Sequence, residues 1–137
     1  RDFPGDPIQE KIVQDIDLII NDPEIDVVVE VMGGVEPAFT FVKKALEAGK
    51  SVCTSNKALV AAHGAELLAM AKERSLNFMF EASVGGGIPI IRPLNQALTA
   101  DEITKITGIM NGTTNYILTK MSNDGSSYEE VLKEHRH

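Results

Sequence analysis

A chain of 137 residues, 43% hydrophobic and 24% charged, can bury a real core as one domain, or as one domain and part of another. No apolar run approaches the roughly eighteen residues of a membrane span, and no basic-then-apolar leader opens the chain, so no membrane partner is expected. The formal charge of −7 resides in the first thirty residues, with nine acids against two bases, while the rest balances at eleven of each. With no basic stripe, nucleic acid is not expected as a partner either.

Residues 7–21 carry Ile8, Ile12, Ile16, Ile19 and Ile20 at the spacing of one helix face, with Pro7 suited to a first turn. Asn21-Asp22-Pro23 breaks that helix. Residues 25–31 (IDVVVEV) are nearly continuous and β-branched, as expected of a strand buried on both faces of a parallel sheet. Gly33-Gly34 turns into a helix over 36–48, opened by Pro37 and ended by Gly49. A short strand, 51–54, leads through Ser55-Asn56-Lys57 into a helical region over 58–74, with a break expected near His63-Gly64. Residues 77–80 form one more strand. Strand, helix, strand, helix, strand with short loops is the pattern of a right-handed parallel α/β sheet.

The stretch 77–89 (NFMFEASVGGGIP) then changes the regime. Three consecutive glycines, Gly85 to Gly87, carry a high backbone entropy cost, usually met where the main chain bends sharply or approaches something closely. Beyond it the pattern predicts a helix over 89–98, a β-branched strand over 102–110, a helix over 113–121 and another over 127–135.

Three places can carry chemistry. In open parallel sheets ligands bind outside the carboxyl ends of the strands, and here those turns hold Gly33-Gly34, Asn56-Lys57 and Glu81. Lys57 is either an ordinary solvated lysine or, beside Glu81, part of a crevice that orients a polar ligand. The glycine run is no phosphate loop, for the chain contains no G-x-G-x-x-G. It serves plain backbone packing or presents carbonyls to a hard cation. Asn111 to Asn115 (NGTTN) is either an N-cap with a tight turn or a helix amino terminus that seats an anion. His63, His135, His137 and the single Cys53 show no ligand spacing; Cys53 alone closes no internal disulfide and fits a reducing compartment.

Taken together, SNKALVA (55–61), FEASVGGGIPII (80–91) and GIMNGTTNYILTKM (108–121) resemble the homoserine dehydrogenase family, colinearly from about residue 25 to 135. The resemblance implies a Rossmann-type parallel sheet, partial here, followed by the start of an α+β substrate and dimerisation domain, with 1–83 and 84–137 as the two parts. It implies NAD(P)-dependent interconversion of aspartate semialdehyde and homoserine in a cytoplasmic homo-oligomer serving threonine, methionine and isoleucine synthesis. It places Lys57 in the nucleotide and active-site crevice and Gly33 along the nicotinamide side of NAD or NADP. It matches Glu81, Val84, Gly86 and Ile88 to a monovalent cation site, usually sodium, built largely from main-chain oxygens. Gly112 and Thr113 match a turn facing the amino-acid substrate. The family's phosphate loop and proton-donor lysine have no counterpart among these residues, and Arg1-Asp2 resembles the end of the second Rossmann strand. The resemblance thus implies an internal piece of such an enzyme, inactive alone. The rival expectation is a non-catalytic α/β metabolite-binding or assembly module, which would show neither NAD(P)H binding nor turnover of homoserine.

Overall fold

The computed structural model describes residues 3–109 and 111–135. Arg1, Asp2, Met110 and His137, on which some expectations rest, lie outside them. The chain forms two compact units that divide between Ile91 and Arg92.

In the first unit the expected helix over 7–21 is two pieces. A 3-10 turn, Pro7–Lys11, gives way to extended backbone at Ile12, and α1 (Ile16–Ile20) starts afresh where the Asp15 carboxylate accepts from Asp17 N at 2.9 Å. Asp15 ends the periodic pattern because its side chain satisfies a helix-start N–H better than it continues a helix. The sheet follows as expected: β1 (Val27–Glu30), α2 (Ala38–Glu47), β2 (Ser51–Thr54), α3 (Lys57–Glu73) and β3 (Phe78–Met79), with the strands parallel in the order β1-β2-β3. Register pairs Val29 with Cys53 and Cys53 with Met79.

The core is one layer between helices and sheet. Ala38, Val42, Ala45 and Leu46 line one face of α2, and Leu59, Leu67 and Ala71 one face of α3; they pack with Val52, Phe78 and Ile20. Lys50 is buried too, its ammonium donating to the carbonyls of Asp22 and Ile25 at 2.6 and 2.7 Å, which fixes the approach to β1. No break occurs in α3. Gly64 is buried inside it, and a Cβ there would sit 3.2 Å from Val60 Cγ1, so the glycine answers close packing along the helix. His63 stacks on Phe39 with ring centroids 3.9 Å apart.

The expectation that β1 is buried on both faces is overturned. Val27 and Val29 are 49% and 65% exposed. The reason is topological. Strands taken in sequential order with crossovers of one hand put every helix on the same side, so the described residues cover one sheet face only.

In the second unit α4 (Ile91–Ala97), which begins at the division, precedes irregular chain, and α5 (Gly112–Asp124) packs with α6 (Tyr128–His135). The strand expected over 102–110 does not form among the described residues. Ile103, Ile106 and Ile109 are exposed there, and no neighbouring strand offers the N–H and C=O groups a strand needs. Gly125, at φ +66°, ends α5. Ser127 and Glu130 cap α6 reciprocally: Glu130 accepts from Ser127 N and Oγ at 2.9 and 2.8 Å.

Candidate functional site at the strand ends

Since the three strands are parallel and adjacent, their carboxyl ends open on one rim. The turn after β1 runs through Met32, Gly33 and Gly34, with Gly34 in the left-handed region at φ +80°. The turn after β2 is Ser55-Asn56, and Lys57 is the first residue of α3. The chain leaving β3 enters a 3-10 turn, Glu81–Ser83.

A buried carboxyl organises this rim. Glu30, the last residue of β1, is 4% exposed. Its Oε2 accepts from Thr54 Oγ1 at 2.5 Å, and its Oε1 accepts from Met32 N at 2.6 Å. Asn56 Nδ2 donates to Gly34 O at 2.7 Å and, at 3.5 Å, to Glu30 Oε1. Asn56 Oδ1 accepts from Leu59 N at 3.1 Å and so caps α3. Among the described residues no buried side-chain nitrogen or oxygen lacks a partner. Sequence reasoning missed Glu30 and Thr54. The available signal was an acid at the end of an otherwise β-branched run, where burial demands partners.

The sequence places Asn56 in the same strand-end turn as Lys57. It is buried, and both ends of its amide are engaged within the fold. Lys57 itself is exposed on the rim, at the first turn of α3. A lysine there presents a cation beside a helix amino terminus, and both attract an anionic group. Gly33 has no atom within 4 Å of where a Cβ would stand, so its surface is open to a ligand.

The glycine run folds back on itself. Gly85 and Gly86 take φ +72° and +60°, and Ile88 N donates to Gly85 O at 3.1 Å. Glu81 Oε1 accepts from the main-chain N–H groups of Ile90 and Ile91, so the carboxylate clasps the loop shut. Val84 is half-buried, whereas Gly86 and Ile88 are exposed. No group of three or more His, Cys, Asp or Glu side chains among the described residues is arranged for a metal ion. Glu81, Val84, Gly86 and Ile88 offer a cation one carboxylate and otherwise main-chain oxygens, a donor set that suits a hard ion.

In the second unit Asn111 caps α5, its Oδ1 accepting from Thr114 N at 2.8 Å. Gly112 opens the helix and borders a shallow groove with Asn115, Tyr116, Thr119 and Lys120. Thr113 does not line that groove. Lys120 Nζ meets Glu134 at 2.8 Å, which raises the lysine and lowers the carboxyl relative to their ordinary values.

Comparison with known proteins matches these two regions to one enzyme. Residues 6–81 match the family model described as the NAD binding domain of homoserine dehydrogenase, and residues 89–137 match the homoserine dehydrogenase model. The chain is 57% identical over 116 residues to a homoserine dehydrogenase of Bacillus subtilis, covering 85% of this chain and 27% of that protein. It is 46% identical over 123 residues to that of Synechocystis, covering 90% and 28%. The crystal structure of a homoserine dehydrogenase from Thiobacillus denitrificans superposes with a TM-score of 0.83 at 47% identity, over 88% of this chain and 28% of the other. This chain thus spans a little over a quarter of the length of these relatives.

Proposed function

Because this chain belongs to the homoserine dehydrogenase family, we propose that it forms part of an enzyme that interconverts aspartate semialdehyde and homoserine with NAD or NADP. The observation that carries the reading is the rim itself, where Gly33 and Lys57 stand at adjacent strand ends on a fold matched to an NAD-binding domain. The cofactor supplies the hydride exchanged with the carbonyl carbon of the semialdehyde. Lys57, exposed at the start of α3, holds cofactor and substrate by its charge. Gly33, lacking a side chain, lets the turn after β1 pass against the nicotinamide side. Gly112 and Thr113, at the amino terminus of α5, face the amino-acid substrate, where free N–H groups suit its carboxylate. No residue of this chain is assigned as proton donor.

Main-chain oxygens of Glu81, Val84, Gly86 and Ile88 hold a monovalent cation, sodium by the resemblance. The tight loop, with two of its glycines at positive φ, supports this. The cation keeps the loop in one conformation. We assign 1–83 to the cofactor domain and 84–137 to the beginning of the substrate and dimerisation domain; the family models match 6–81 and 89–137, and the compact units part later, between Ile91 and Arg92. A homo-oligomer in the reducing cytoplasm fits the exposed apolar side chains and the single half-buried Cys53.

The test is NAD(P)-dependent oxidation of homoserine by a full-length enzyme carrying these 137 residues, run in parallel with the 137-residue chain alone. Turnover by the former and none by the latter is expected, since this chain contains no G-x-G-x-x-G to bind the dinucleotide phosphates. A full-length enzyme inert towards homoserine would overturn the reading.

A further inference from the structure

Glu30 is the one buried carboxyl on the rim among the described residues, and its partners come from three separate pieces of chain. Met32 N belongs to the turn that carries Gly33 and Gly34. Thr54 Oγ1 is the end of β2, and it accepts in turn from Asn56 N at 2.9 Å. Asn56 Nδ2 belongs to the cap of α3, the helix that begins with Lys57. The same Asn56 reaches Gly34 O and Leu59 N, closing a ring of hydrogen bonds between the first turn and the helix start.

We propose that Glu30 is a positioning residue for hydride transfer: its buried carboxyl fixes the Gly33-Gly34 turn against the amino terminus of α3 and so sets the distance from the nicotinamide to Lys57. The proposal rests on the dehydrogenase reading given above. Both oxygens of Glu30 act as acceptors, and no neighbour asks the group to donate. A glutamine keeps the shape and can keep Met32 N and Asn56 Nδ2 on its oxygen. Its NH2 then faces Thr54 Oγ1, and the Thr54 hydroxyl proton loses its acceptor. The ring is loosened at one bond with no cavity made. In this role Glu30 acts through the turn and the helix start that it bonds. A misplacement of about 1 Å at a reacting centre costs on the order of a hundredfold in rate.

The experiment uses a full-length homoserine dehydrogenase carrying these residues, as wild type, Glu30→Gln and Thr54→Val. Steady-state kinetics are measured with protiated and 4-deuterated reduced nicotinamide cofactor, alongside thermal unfolding. Expected for Glu30→Gln is a fall in kcat on the order of tenfold to a hundredfold. The midpoint of unfolding should drop by only a few degrees, and the deuterium isotope effect on kcat should rise as hydride transfer becomes limiting. Thr54→Val, which removes the same bond from the other side together with the acceptor of Asn56 N, should give the same isotope signature. A merely structural glutamate would lower the amount of folded enzyme and leave the isotope effect of the survivors unchanged; that result overturns the proposal. An active wild type with an unimpaired Glu30→Gln overturns it as well and spares the dehydrogenase reading. A wild type without turnover sinks that reading and this role together.

Discussion

Gly85 and Gly87 belong to one run, yet their backbones ask for different things. Gly85 sits at φ +72°, and a Cβ there would stand 3.0 Å from the carbonyl oxygen of Ile88. Gly87 has an ordinary φ and open space around its Cα. Gly85→Ala should therefore cost about 1–2 kcal/mol or more, from left-handed strain joined to a backbone clash. Gly87→Ala should stay within about 0.5 kcal/mol. Urea unfolding of the two variants checks this, and equal losses would show that the glycines serve as a set. Asn56 makes a second case at this scale. Asn56→Ala removes the α3 cap, for about 1 kcal/mol, and also the bond to the Gly34 carbonyl, so its cost should exceed that of Asn111→Ala, whose carboxamide serves only the α5 cap among the described residues. Equal costs in the same unfolding assay would argue that the contact with Gly34 contributes nothing. At this scale the sequence offered candidates but not the hydrogen bonds that hold them. Gly33, Lys57 and the glycine loop stood out because turns at strand ends are where ligands bind. Glu30 and Thr54 did not, because a polar residue in a strand declares nothing until its neighbours across the sheet are known.

Among the elements, helices that end in their own signals were readable, and those that depend on partners were not. Gly49, at φ +81°, ends α2 as its position promised. Of Leu67, Leu68 and Ala71, which the sequence offers together as the inner face of α3, Leu67 and Ala71 are buried and Leu68 is 42% exposed. The periodic isoleucines of 7–21 misled, because Asp15 starts a new helix within them. The isoleucines of 102–109 misled for the opposite reason, as β-branched composition makes a strand only where another strand is present to bond. The pairing of α5 with α6 gives a prediction of its own. Ser127 holds the Glu130 carboxyl below the usual range by backbone and side-chain hydrogen bonds, and Lys120 does the same for Glu134. Depressed carboxyls stabilise the folded form above the ordinary glutamate range, and that contribution is lost as pH falls through their lowered values. In Lys120→Ala the titration of Glu134 should move up toward the ordinary value while Glu130 stays where Ser127 holds it. Carboxyl NMR titration reads both. Both groups lie in water, so added salt should shrink the Glu134 shift. A Glu134 midpoint indifferent to Lys120 would contradict the pairing.

At the scale of the whole molecule, the order β1-β2-β3 explains both what was anticipated and what was not. Alternating strands and helices with short loops made the parallel sheet legible from sequence alone. That same alternation, with crossovers of one hand, sends α2 and α3 to one side and leaves Val27, Val29 and Met79 exposed on the described residues. A continuous apolar strand cannot reveal by itself which of its faces its own chain covers. Among the described residues no helix is long and apolar enough to cross a membrane, so these side chains are not part of a helical span. The functional reading rests on how this scaffold aligns three strand ends, and Lys57 is the exposed charge standing there. The most direct measurement compares homoserine oxidation by the full-length enzyme carrying these residues with that of its Lys57→Met variant. Lys57 is exposed, so the variant should unfold at the same temperature while kcat/KM falls on the order of a hundredfold. A folded Lys57→Met enzyme that oxidises homoserine at the wild-type rate would contradict the account.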